Sequence, residues 1–87
     1  MAENFIHSNG ANIWTTSQGE GIAVLMCNGG PGCCDYLEPV AQMVDDIAHV
    51  IRFEQRGCGR SDKQRPYDID TVIADMEQLR SYLLKFL

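Results

Sequence analysis

Apolar residues follow two rhythms along this chain. Ile22, Ala23, Val24, Leu25, Met26 and Cys27 form an unbroken apolar run. Such a run, apolar on both faces, predicts a strand inside a sheet that helices cover on both sides. Asn28-Gly29-Gly30-Pro31-Gly32 ends it, since glycine and proline punctuate regular structure. Over 36–47, Leu37, Val40, Ala41, Val44 and Ile47 recur at helical spacing, with Asp35 as the expected N-cap. His49-Val50-Ile51-Arg52-Phe53 reads as a second short strand, and 54–67, rich in glycine, proline and charge, as loop. From Ile69 onward, Val72, Ile73, Met76, Leu79 and Leu83 mark a second helical stripe; Asp68 or Asp70 could cap it, and Asp75 and Glu77 are expected on its wet face. Upstream, Asn9-Gly10 is a two-residue hairpin signal between strand candidates at 4–8 and 11–16, and Gln18-Gly19-Glu20-Gly21 is a turn. Strand, glycine-rich loop, helix and strand make a parallel βαβ unit with a right-handed crossover. The expected fold class is α/β: an N-terminal strand pair, the βαβ unit and a trailing helix.

Composition narrows the function. With 87 residues, the chain holds one domain at most. Twelve acidic residues against seven basic ones give a net charge of −5, which argues against a nucleic-acid partner and against docking on an anionic membrane. The longest apolar run is far short of the roughly 20 residues a spanning helix needs. Met1-Ala2-Glu3-Asn4 is no secretory leader, so a cytoplasmic location is expected. Cys27, Cys33, Cys34 and Cys58 include no C-x-x-C pair, and His7 and His49 are not at zinc-finger offsets. Reduced thiols, no metal and no cofactor are the expectation.

Ligands of open α/β sheets bind beyond the carboxyl ends of the parallel strands. Two loops leave those ends. In the first, Asn28-Gly29-Gly30-Pro31-Gly32-Cys33-Cys34-Asp35, backbone N–H groups could serve an anion or a developing oxyanion; the alternative is a tight turn with no ligand. No Gly-Lys pair is present for a phosphate loop, and Asp35 stands where a dinucleotide fingerprint needs its third glycine. In the second loop, Arg56 and Arg60 could bind a carboxylate, or Arg56 and Asp62 could anchor the loop through local hydrogen bonds.

A strand ending in Asn28-Gly29-Gly30-Pro31-Gly32, a helix, then a strand ending in Glu54-Gln55-Arg56-Gly57-Cys58-Gly59-Arg60-Ser61 resembles the N-terminal part of an α/β-hydrolase. The resemblance is to the proline iminopeptidase branch, which carries His-Gly-Gly-Pro-Gly and Asp-Gln-Arg-Gly-Cys-Gly-Arg-Ser at these places. Asn28 replaces the usual histidine and Glu54 the usual aspartate. The resemblance implies that the Gly30 N–H is one oxyanion-hole donor, with Asn28, Gly29 and Gly32 facing a peptide or small ester or amide substrate.

The nucleophile of that fold sits in G-x-S-x-G. Ser61 alone has glycine at minus two, Gly59, but Lys63 stands at plus two, and no histidine follows His49. A cysteine nucleophile paired with His49 is disfavoured, because His49 opens its strand at the end away from both loops. Residues 1–87 are therefore expected to be an incomplete, N-terminal portion of the hydrolase domain, lacking the nucleophile strand. They could be a truncated piece, part of an enzyme completed by another chain, or a short protein keeping the framework without the activity. The alternative function is a non-catalytic interaction module. In the sheet order the resemblance implies, the 22–27 strand neighbours the nucleophile strand, so self-association through that strand edge is expected.

Overall fold

The computed structural model describes residues 2–27 and 34–84. Strand β1 (Ala2–Ser8) turns at Asn9-Gly10 into β2 (Ala11–Gln18), antiparallel from Ala2↔Ser17 to Ser8↔Ala11. Both turn residues have positive φ, 48° and 87°, the left-handed conformation a type I′ hairpin needs and Asn-Gly tolerates. Then follow β3 (Ile22–Met26), helix α1 (Glu38–Gln42), β4 (Ala48–Phe53) and helix α2 (Ile69–Leu84). The sheet order is β1-β2-β4-β3, with β2 antiparallel and β3 parallel to β4. The partial α/β-hydrolase layout implied by the sequence is thus present.

Strand alternation divides β4 between two cores. Phe53 joins Ile6, Ala11, Ile13 and Leu79 beneath α2, with Leu25, Met76 and Tyr82 packed against them. Ala48 and Val50 point the other way and pack with Ala41, Val24, Met26 and Val44 beneath α1. Helices on both faces explain why β4 is buried almost throughout.

Three expectations need correcting. The first helix is one short piece, Glu38–Gln42, followed by turns as far as Ile47. Its continuation is tightened into three-residue bonds, Met43 N–H to Val40 O (3.1 Å) and Val44 N–H to Ala41 O (3.1 Å). Its last turn has no basic residue, and Asp45 and Asp46 follow, an unfavourable charge for a helix carboxyl end. Asp35 does not cap it: Leu37 holds the N-cap position, with no side-chain capping bond.

Second, the apolar run alone predicts an interior strand, but β3 lies at the sheet edge, as the sheet order implied by the resemblance has it without the nucleophile strand; it is hydrogen-bonded only to β4 among the described residues, and Ile22 is 80% exposed. An apolar run marks a strand that seeks burial, but the neighbours that bury it must be present. Third, Asp75 is not on the wet face of α2 but 3% exposed, because Arg56 reaches it from the loop after β4. Asp68 does cap α2, accepting the Thr71 N–H at 2.8 Å.

The β3 edge carries no charge and no proline, the usual protections of an unpaired edge. The isolated chain is therefore expected to associate through it, seen as concentration-dependent sedimentation in the micromolar range. Ile22→Lys should suppress that association while leaving the unfolding midpoint unchanged. A wild-type monomer at every concentration would show that the edge is protected after all.

Candidate functional site

The chemistry-bearing residues gather where β4 ends. Arg52 points to the α1 face with Val50, and Glu54 stands two residues further on. Glu54 is entirely buried, a costly place for a carboxylate unless donors surround it. They do. Oε1 accepts the Arg60 backbone N–H at 2.7 Å and Arg60 Nε at 2.8 Å. Oε2 accepts the Asp35 backbone N–H at 2.8 Å and Arg60 Nη2 at 3.1 Å. Burial favours the neutral acid, but the hydrogen bonds from Arg60 and Asp35 outweigh it and hold the Glu54 carboxyl below the usual carboxylate range. The Arg60 guanidinium also lies over the Trp14 ring, 3.5 Å from its centroid. Gly59, at φ +51°, passes so close to the Glu54 carboxylate that a Cβ there would collide with it.

Ser61, the one serine preceded at minus two by glycine, is buried. Its Oγ donates to the Glu54 carbonyl and accepts the Trp14 N–H at 2.9 Å. That hydroxyl holds the loop to β2 and is not presented to a substrate. Asp62 adds a second tie to the same strand: its Oδ2 accepts the Asn12 N–H (2.9 Å) and its N–H donates to the Asn12 carbonyl (3.0 Å).

Arg56 fastens α2. Its Nε and Nη2 grip Asp75 Oδ2 (2.6 Å) and Oδ1 (2.9 Å), a two-pronged pair. Nη2 also donates to the Ser8 and Asn9 carbonyls at 3.1 and 3.2 Å, and Ser8 Oγ donates to Asp75 Oδ1 at 2.7 Å. Hairpin, loop and helix thus meet at one buried ion pair. The anchoring role expected of Arg56 and Asp62 is present, but its bonds run to distant elements, because helix and hairpin converge only in the fold. Arg56 is consequently not available for a ligand carboxylate.

Asn28, Gly29, Gly30 and Gly32 lie outside the described residues, as does Cys33. The residues flanking them are in place: Met26 pairs in register with Arg52, and Asp35 binds Arg52 through its carboxylate and Glu54 through its N–H. His49, second residue of β4, is at the opposite end of that strand from Cys58, so the two are not brought together. Cys27, Cys34 and Cys58 form no disulfide with one another. Among the described residues, no helix is long and apolar enough to cross a membrane.

Sequence reasoning overlooked the Asp35–Arg52 and Arg56–Asp75 pairs. Both left traces: Arg52 is a lone cation within an apolar strand, and Asp75 falls at helical spacing among Val72, Met76 and Leu79.

A family model for the alpha/beta hydrolase fold matches residues 22–85. The chain belongs to the α/β-hydrolase family. It is 33% identical over 80 residues to a putative proline iminopeptidase of Mycoplasma pneumoniae, covering 82% of this chain and 24% of that protein. It is 36% identical over 67 residues to the proline iminopeptidase of Saccharolobus solfataricus, covering 72% and 22%. The similarity to the proline iminopeptidase branch read from the two loops is thus borne out. The chain spans about a quarter of the length of these curated relatives. Among solved structures, a bromoperoxidase from Bacillus anthracis superposes with a TM-score of 0.85 at 24% identity, over 94% of this chain and 31% of that one. An epoxide hydrolase from Bacillus megaterium gives 0.74 at 26% identity, over 87% and 28%.

Removing one partner of a buried ion pair leaves the other charge stranded, which costs about 3–5 kcal/mol. Asp75→Asn is expected to destabilise the chain by that order in urea denaturation. Exposed Glu77→Gln, on the same helix, should change stability by less than about 1 kcal/mol. Equal effects would show that the Arg56 network does not hold α2.

Proposed function

We propose that this chain is the N-terminal part of a cytoplasmic serine hydrolase that removes N-terminal residues, proline above all, from peptides. One observation carries the reading: the similarity to proline iminopeptidases, expressed in two motif loops that follow two parallel strands. In this reading the Gly30 N–H donates to the oxyanion of the tetrahedral intermediate. A backbone donor is preorganised, and such a donor contributes about 2.7–4 kcal/mol to the transition state. In the same reading Gly29 and Gly32 let the backbone approach the substrate carbonyl, and Asn28 contacts the substrate. The serine nucleophile, its acid and the histidine base come from outside these 87 residues, since no serine here completes G-x-S-x-G. The loop at 54–62 serves as scaffold.

A second reading, a non-catalytic module that binds another chain, is favoured by the one-sided pairing of β3 among the described residues. The coding sequence beyond Leu87 separates the two. A G-x-S-x-G downstream supports the enzyme; a stop codon supports the module.

Two outcomes are expected. The isolated chain should give no burst and no acyl adduct with proline β-naphthylamide or p-nitrophenyl acetate, because the Ser61 Oγ is committed to Glu54 and Trp14. A stable adduct on Ser61 detected by mass spectrometry would contradict this. In the complete enzyme, Gly30→Val should lower kcat by about 10²-fold or more, as a β-branched side chain displaces the donor. An unchanged kcat would mean that the oxyanion is held elsewhere.

A further inference from the structure

The free edge of β3 is only part of a wider apolar surface. Leu25 turns to the α2 face of the sheet, and Ala23 with it by strand alternation, while Val24 and Met26 turn to the α1 face. Between β3 and α2 runs a groove of about 420 Å³, floored by Ala23 and Leu25 and walled by Ile73, Met76, Glu77 and Arg80 of the helix. Ile73 is 57% exposed, and Ile69, one turn earlier on the same stripe, is exposed as well. The charges at the far rim neutralise each other, Arg80 Nε donating to Glu77 Oε2 at 2.9 Å. Edge and groove together therefore present apolar side chains and a rim without net charge.

We propose that this surface docks a second copy of the chain, whose β3 pairs antiparallel to the first about a two-fold axis at Val24. Ile22 then stands opposite Met26 of the second copy, Ala23 opposite its Leu25, and Val24 opposite its Val24. The composition of β3 suits this register. On the α2 face the smallest side chain of the strand, Ala23, meets the larger Leu25 of the other copy, and the two-fold repeats the match on the far side. An axis perpendicular to the sheet also keeps both α2 helices on one face. The two grooves merge, and Ile73 and Met76 of each copy close over the shared Leu25 pair. Each chain carries a net charge of −5, yet neither brings unbalanced charge to this contact. Any strand could satisfy the backbone groups of the edge; the complementarity of β3 to itself selects a second copy. One groove per copy, filled by one partner, closes the assembly at a dimer rather than an open-ended stack. The inference does not depend on the oxyanion role of Gly30.

Cross-linking tests the register. Residues opposite each other in an antiparallel pair have Cα atoms about 4.5–5.5 Å apart, within reach of a disulfide. Val24→Cys, oxidised with copper phenanthroline, should link to itself across the axis, peptide mapping by mass spectrometry separating this bond from any at the native thiols. Ile22→Cys and Met26→Cys should each stay unlinked at the new thiol when alone and link to one another when mixed. Absence of the Val24→Cys link overturns the proposal, and so does Ile22→Cys linking to itself, which marks parallel pairing.

Sedimentation tests the groove. Ala23 is exposed in the single chain, so Ala23→Leu should leave the urea unfolding midpoint of the monomer unchanged. It should nevertheless raise the dimer dissociation constant about tenfold, because two leucines then compete for the space of one. Ile73→Glu should weaken the dimer comparably by placing a carboxylate from each copy in the merged groove. Unchanged or tighter association of Ala23→Leu would mean that the chain merely sticks by its apolar edge. That result overturns the proposal, as do a wild-type monomer at every concentration and wild-type species larger than a dimer.

Discussion

A carboxylate stripped of water at the end of β4 governs the arrangement around it. Glu54 has no exposed surface, and every oxygen lone pair it cannot offer to water must meet a donor. Arg60 supplies donors from backbone and side chain, which curls the loop back over β4 and brings Gly59 against the carboxylate, where a Cβ has no room. Arg60 in turn comes to rest on Trp14 of β2. Asp35 supplies the remaining backbone donor and so ties the start of the α1 region to the same point. A single desolvated group thereby couples a loop, a strand and the segment that precedes a helix.

The second buried pair, Arg56 with Asp75, does for α2 what Glu54 does for the loop. Buried ion pairs are weak sources of net stability, because desolvation offsets most of their attraction. Their contribution is direction: the donors of a guanidinium fix angles that apolar contacts leave free. The two small apolar clusters on either side of β4 provide the drive to collapse, and the polar groups at its carboxyl end select one arrangement.

The hydrolase framework was legible because its signals are local. Asn9-Gly10 prescribes a hairpin by its own backbone preference, and Asp68 caps α2 through a bond three residues long. Ile22 to Met26 announces a strand by composition, and the order of the two glycine-bearing loops pointed to the family before any contact was known. The candidate site was read in the same way, as residue types at the ends of parallel strands, and its glycine-rich loop lies outside the described residues.

What the chain could not declare depends on partners distant in sequence. Asp75 reads as a solvent-facing helix residue until Arg56, nineteen positions away, is folded beneath it. Asp35 reads as a helix cap until Arg52 claims its carboxylate, and Leu37 is left at the N-cap position of α1. Ser61 reads as a candidate hydroxyl until the Trp14 N–H and the Glu54 carbonyl occupy it. Hydrophobic period, turn residues and motif order act over a few residues, so sequence alone determined the strands, the second helix and the family. Burial and charge pairing depend on which segments the tertiary fold brings together, and only the structure decided them.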